Sequence, residues 1–304
     1  MRMVIVGGTG FIGGRLCRVC REQGIDVTVL TRRPERAAAA LGSIATIIPW
    51  DPVQGPPPAE ALEGCDAVVN LAGSSVACRW TKAARRLIHN SRVTTTELVV
   101  SRFGQLDKLP HALLNASAAG YYGDRGDELL TERSQAGSGF LAGVCCGWEA
   151  AAEVAKRIGV RVVPLRFGIV LGRGSEYLKR ALPVFRRGLG AVIGSGKQWM
   201  PWVHVADAVG LILHAAREAS VEGPLNAVAP QAVTNAEFSN ALGQALGRRV
   251  RLRVPSWVLR LRFGQMASLM LASQRVAPEV AVRTGYGFQF PELVDCLEDV
   301  LARE

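Results

Sequence analysis

The chain has 304 residues, 49% hydrophobic and 20% charged, with 36 Lys and Arg against 26 Asp and Glu for a net charge of +10. That length suits one large α/β domain or a domain with a smaller companion, and the composition is that of an ordinary soluble globular protein. No apolar run reaches the ~20 residues of a transmembrane helix, and the first apolar run flows into glycines without a cleavage region. A cytoplasmic location with no membrane partner is the expectation. The arginines are spread along helices and interleaved with Glu, with no recognition motif. The basic surface is therefore read as solvated and attractive to anionic ligands, with no nucleic-acid partner expected.

In chain order, β-rich runs fall at 3–6, 26–31, 45–48, 67–71, 112–116 and 161–167, with helical patterns at 10–24, 80–102 and 140–158. Several of the strands are continuously apolar, as strands covered on both faces must be. This alternation predicts an α/β fold, a Rossmann-type doubly wound parallel sheet. The stretch 54–60 carries three prolines and is a loop. Beyond Gly172 the pattern turns mainly helical, near 175–188, 206–219 and 235–247, with extended pieces at 202–205 and 225–228. A nucleotide-binding domain over 1–230 and a smaller, mainly helical C-terminal lobe over 235–304 are expected, with the lobe covering a cleft. A monomer or homodimer acting on a small-molecule substrate suits that layout.

Gly7, Gly10 and Gly13 in "GGTGFIG" follow a strand and open a helix. The first glycine allows a tight turn, the second lets backbone approach a pyrophosphate, and the third lets helix and sheet pack closely. Thr9, Phe11 and Ile12 lie within that turn. After the second strand, Thr31, Arg32 and Arg33 stand where NAD-selective proteins place an acid on the ribose. Two guanidiniums there suit a 2′-phosphate, so NADP(H) is predicted over NAD(H); the alternative is a solvated helix start. Asp51 is placed near the adenine edge. Asn70, Leu71, Ala72 and Gly73 end the fourth strand with small residues across which a cofactor can lie.

Seven cysteines, at 17, 20, 65, 78, 145, 146 and 296, are odd in number and scattered, which suits reduced thiols. The histidines at 89, 111, 204 and 214 show no metal-ligand spacing, and no metal site is expected.

The motifs GGTGFIG, NLAG, SAAGYYG (117–123) and WVHVADA (202–208) resemble those of the short-chain dehydrogenase/reductase superfamily, in its extended and atypical epimerase-like members. The likeness is closer to one atypical, NAD-dependent epimerase/dehydratase-like subfamily. It rests on SRVTTTEL (91–98), YYGDRGDELLTE (121–132), WEAAAE (148–153), GIVLGRG (168–174), GSGKQWMPWVHVAD (194–207) and NAVAP (226–230). The tail from 254 resembles the subfamily's C-terminal domain of unknown function, DUF1731.

The resemblance implies a serine at Ser117 that meets the substrate oxygen, and a Tyr-x-x-x-Lys pair on the helix that follows. That pair is missing: Leu141 stands for the tyrosine, Cys145 for the lysine, and Arg92 for the usual upstream asparagine. Tyr121 and Tyr122, just beyond Ser117, are candidate replacements, given a cation to lower a phenol's pKa. Arg92 either supplies that field or clamps the cofactor's phosphate or nicotinamide ribose; Val170 borders the cofactor. Lys197, Trp199 and His204 border the substrate site in relatives, although His204 on a short strand reads more readily as a hydrogen-bonded core histidine than as a catalyst. Cys145 is either a small buried hydrophobe or a reactive thiol, while Cys146, Glu149 and Glu153 fall on another face of the helix. Two functions follow: an NADP(H)-dependent oxidoreductase or epimerase on a carbonyl- or hydroxyl-bearing metabolite, or an NADP(H)-binding sensor without turnover.

Overall fold

In the computed structural model, which describes residues 1–302, seven strands form one parallel sheet. They are β1 (Arg2–Val6), β2 (Asp26–Thr31), β3 (Thr46–Pro49), β4 (Ala67–Asn70), β5 (Ala112–Ala118), β6 (Arg161–Phe167) and β7 (Leu225–Ala227). Their order in space is β7-β6-β5-β4-β1-β2-β3. The winding reverses between β1 and β4, and a doubly wound sheet opens its ligand crevice at the carboxyl ends of such strands.

The helices used below are α1 (Phe11–Glu22), α2 (Val93–Phe103), α3 (Phe140–Glu153), α4 (Glu176–Arg186), α5 (Val205–Arg217), α6 (Asn235–Ala245), α7 (Ser256–Phe263) and α8 (Leu293–Ala302). Successive strand residues serve opposite faces. Met3, Ile5, Val27 and Val29 pack with Leu16 and Cys17 of α1 and Ile212 of α5. Val4, Val6, Val68 and Leu113 pack on the other face with Val99 and Phe103 of α2 and Ala152 of α3. Both faces are thus withdrawn from water, which is why these strands read as unbroken apolar runs.

Two expected elements differ in detail. The helix over 80–102 is divided into Lys82–Asn90 and α2. Ser91 Oγ donates to Ile88 O at the break, and Arg92 adopts φ −112°, ψ −67°. The helix over 140–158 is α-helical to Glu153 and then tightens to a 3-10 turn that stops at Gly159, with φ +88°.

A second core lies beside the sheet, built from Leu178, Leu182 and Phe185 of α4, Trp202, Phe238 and Leu242 of α6, and Leu293 and Leu297 of α8. The tail is fastened to the sheet body at several points. Asp207, fully buried in α5, accepts from Tyr286 Oη at 3.0 Å, Gln289 N at 2.8 Å and Phe290 N at 2.9 Å. The short strand Arg275–Val276 pairs with Leu129–Leu130. Among the described residues no helix is long and apolar enough to cross a membrane, and no group of three or more metal-ligating side chains occurs.

Candidate active site

The β1–α1 turn is shaped by what a side chain would hit. Gly7 sits at φ +84°, and a Cβ there would stand 3.0 Å from the Leu71 carbonyl. At Gly13 a Cβ would stand 2.4 Å from Gly7 O, so helix and turn touch as bare backbone. Gly10 is the N-cap of α1, with no side-chain cap and no acid in the first turn. The first amides of α1 therefore have no side-chain cap, and with the helix dipole behind them they suit an anionic diphosphate. Thr9 and Gly10 are exposed and Phe11 and Ile12 half-buried at this lip. Phe11 lies beside Gly172, just beyond Val170.

Arg32 and Arg33 are exposed at the end of β2, where Arg33 N donates to Thr31 Oγ1 at 3.1 Å. Trp50 N donates to Thr31 O, which brings Asp51 beside this end, and Asp51 Oδ1 accepts from Val53 N to cap a turn. Asn70 is buried. Its amide donates at 2.8 Å to both Thr96 Oγ1 and Asn115 Oδ1, and its oxygen accepts from Ala72 N. Asn70 thus shapes the Leu71–Ala72–Gly73 wall, and its side chain is turned inward. Arg92 lies against Gly73, donates to Ile88 O at 3.1 Å and Ser74 O at 3.0 Å, and stacks on Trp148 at 5.1 Å. It pins the wall from behind.

At the other side of the crevice, residues far apart in sequence meet. The β5–β6 register sets Ser117 opposite Arg166, and α3 lowers Glu149 between them. Ser117 Oγ donates to Glu149 Oε1 at 2.6 Å. Arg166 grips the same carboxylate with Nε at 2.9 Å and Nη2 at 2.8 Å, an ion pair whose side chains are 3% and 10% exposed. Arg166 Nη1 also donates to Tyr122 Oη at 2.9 Å, and Tyr122 donates to Asn226 Oδ1 at 2.7 Å. Tyr121 lays its ring over the guanidinium at 3.6 Å and is half-buried at the crevice. Burial lowers the Arg166 pKa, but its bonds to Glu149 more than offset this and hold it above the ordinary arginine value.

Glu149 and Arg166 were not among the residues singled out from the sequence. A charged residue inside the apolar run "VVPLRF" was the available signal, because a buried arginine requires a buried acid.

These contacts correct the reading of Tyr122 as a catalytic candidate and decide between the alternatives for Cys145 and His204. Tyr122 is fully buried, and desolvation, opposed by Arg166, pushes its phenol up to about 12; it is part of the scaffold, and Tyr121 is the tyrosine that faces the crevice. Cys145 packs beside Gly120 and its thiol is pushed up to about 12 by burial, with Glu149 adding and Arg92 opposing, so it is a small buried hydrophobe rather than a reactive thiol. His204 caps α5 through Nδ1, which accepts from Ala206 N, while Nε2 lies 3.3 Å from Asp299 and the ring 3.9 Å from Phe290. Both ring nitrogens are taken up by these contacts, which is the arrangement of a hydrogen-bonded core histidine. Lys197 is exposed on its loop. Trp199 donates to Asp127 Oδ1 at 2.9 Å and carries Arg275 over its ring at 4.8 Å, which ties the strand Trp199–Met200 to the 124–127 loop.

Residues 3–227 match the NAD dependent epimerase/dehydratase family, and 254–300 match a domain of unknown function, DUF1731. The human epimerase family protein SDR39U1 is 37% identical over 307 residues, spanning 99% of this chain and all of that protein. The Bacillus subtilis epimerase family protein YfhF is 32% identical, covering 99% of this chain and 98% of its own. A crystal structure of human SDR39U1 (isoform 2) with NADPH superposes over the full length of both chains with a TM-score of 0.88 at 36% identity. A UDP-glucuronic acid 4-epimerase of Bacillus cereus, solved with UDP-glucuronic acid and NAD, shares the fold at a TM-score of 0.78 and 16% identity.

Proposed function

Since the chain belongs to the NAD dependent epimerase/dehydratase family, we propose that it binds NADP(H) in preference to NAD(H) and acts as an oxidoreductase or epimerase on a small hydroxyl- or carbonyl-bearing metabolite. The glycine turn and the uncapped start of α1 would hold the diphosphate, and Arg32 and Arg33 the 2′-phosphate. The similar human protein, crystallised with NADPH, supports this reading. When bound, the dinucleotide supplies the hydride acceptor or donor.

The observation that carries the reaction is the Ser117–Glu149–Arg166 chain. Ser117 already gives its proton to Glu149 at 2.6 Å, so its lone pairs are left to accept from a substrate hydroxyl. As that hydroxyl becomes a carbonyl, its proton passes to Ser117 Oγ while the serine's own moves to Glu149 Oε1. Arg166 holds the carboxylate in line, and Tyr121 roofs the guanidinium and forms crevice wall. This relay does without the missing Tyr-x-x-x-Lys pair.

Residues 1–230 are assigned to the nucleotide-binding domain and 235–304 to a lobe covering the substrate cleft, positions 303 and 304 lying outside the described residues. Ser273 N donates to Asp124 Oδ1 at 3.0 Å and Gln274 Nε2 to Gly123 O at 2.9 Å, contacts that hold the lobe over the 123–127 loop.

The test is a titration of the purified protein with NADPH and NADH, followed by nicotinamide absorbance across alcohols, carbonyls and nucleotide sugars. Tighter NADPH binding that weakens about tenfold in Arg32→Ala is expected, from loss of one charge-assisted bond. Turnover lost in Ser117→Ala is the second expected result; equal affinity for the two dinucleotides would sink the cofactor assignment. Cys145 at the lysine position, with a thiol pushed to about 12, favours a second reading, a binding protein without turnover. Tight NADPH binding with no turnover on any compound would select it.

A further inference from the structure

From 238 to 278 the chain carries seven arginines (248, 249, 251, 253, 260, 262 and 275) and no Asp, Glu, Lys or His. This one stretch accounts for seven of the ten net positive charges, so the interleaving of Arg with Glu seen elsewhere fails here. Among the described residues none of the seven arginines is in an ion pair. Arg260 shares a cavity wall with Asp124, and Arg275 is covered by Trp199.

The same stretch exposes large apolar side chains. On α7, Trp257 and Leu261 are one turn apart on the same side, 64% and 83% exposed, while Leu259 turns into the protein. Arg260 and Arg262, both exposed, flank them. The strand Leu252–Val254 pairs with Ala191–Ile193 and presents Leu252 beside exposed Arg251 and Arg253. Leu189, two residues before that partner strand, is also exposed.

We propose that this face of α7 and the strand Leu252–Val254 dock the protein on an anionic lipid bilayer. An indole prefers the headgroup level, leucines enter the acyl boundary, and guanidiniums reach lipid phosphates. Attachment is peripheral, because no described helix can span a bilayer. A second copy is a poor partner, since a self-complementary contact would bring the same uncompensated arginines face to face. Nucleic acid would satisfy the arginines but leave Leu252 and Leu261 against phosphate.

The test is cosedimentation of the full chain with vesicles of phosphatidylcholine alone and of phosphatidylcholine with phosphatidylglycerol. Binding to the anionic vesicles only, released by raising salt from about 0.1 M to about 1 M, is expected. The Arg251→Glu/Arg253→Glu variant should partition at least about tenfold less. The Trp257→Ala/Leu261→Ala variant, with charge intact, should also lose most binding. Lipids brominated on the acyl chain should quench a tryptophan signal that is absent in Trp257→Phe. Melting curves check that the variants fold; these side chains are exposed, and if the arginine variant melts early the apolar variant decides. The proposal falls if the protein stays in the supernatant, binds neutral vesicles equally, or keeps its binding in the apolar variant. It falls also if the patch proves to hold a dimer or to take RNA in place of vesicles.

Discussion

The two sides of the crevice are made of different material. At the β1–α1 turn the surface is backbone, bare because Gly7, Gly10 and Gly13 leave no room for anything else. At the β5–β6 ends it is side chain, a buried run from Ser117 through Glu149 and Arg166 to Tyr122 and Asn226. The first needs no burial of charge and draws on seven consecutive residues. The second buries an ion pair and draws on four separate stretches of chain. A backbone site is fixed locally; a buried charge network depends on every partner arriving.

This difference predicts that the network side is the more costly to break. Arg166→Ala leaves Glu149 buried without its counter-charge and should lose about 3–5 kcal/mol, measured by denaturant unfolding. Arg166→Met combined with Glu149→Leu should recover most of that; a double variant as unstable as the single would mean the loss is packing, not charge. On the turn side, Gly13→Ala drives a Cβ to 2.4 Å from Gly7 O and should cost ~3 kcal/mol together with NADPH affinity. Gly14→Ala, whose Cβ would sit at an ordinary 3.6 Å from Gly8 O, should be neutral or stabilising by up to about 1 kcal/mol. If both alanines behave alike in melting and titration, the turn is not the tight backbone contact described.

Smaller effects sharpen the contrast further. Tyr122→Phe removes one hydroxyl shared by Arg166 and Asn226 and should cost ~2 kcal/mol in the same unfolding assay, with little change in NADPH binding. The last is confined to alkaline pH and concerns Cys145, pushed by burial from 9.0 to about 12. The unfolded thiol ionises first, so its contribution is whole below pH 9 and falls as pH rises towards 12. Cys145→Ala should therefore flatten the alkaline stability curve by about 1.4 kcal/mol per pH unit above 9. An unchanged slope would place that thiol in contact with water.

What the sequence disclosed follows the same division. The glycine turn and the parallel strands were legible, because spacing within a dozen residues determines them. Glu149 was assigned with Cys146 to a face away from the sheet. It is hidden instead because α3 is buried on two sides, one carrying Val144 and Trp148 and the other carrying Glu149 onto Arg166. Helical periodicity separates faces but does not say which outer face meets another strand. His204 could be read as core or cleft from its short strand, and only Asp299 and Phe290, almost a hundred residues on, decide for the core.

The fastening of the tail has a consequence in time. Asp207 receives its three donors from Tyr286, Gln289 and Phe290, and Glu132 Oε1 receives the amides of both Asn226 at 3.0 Å and Val280 at 3.1 Å. During synthesis the donors at 280, 286, 289 and 290 emerge long after both acids. Until they do, two carboxylates wait in the body of the protein without the groups that make their burial tolerable. A chain stopped before residue 280 thus differs from one that carries the tail in the state of two acids far from the break. A chain that ends early leaves those two acids without their tail donors and is expected to open more readily to protease.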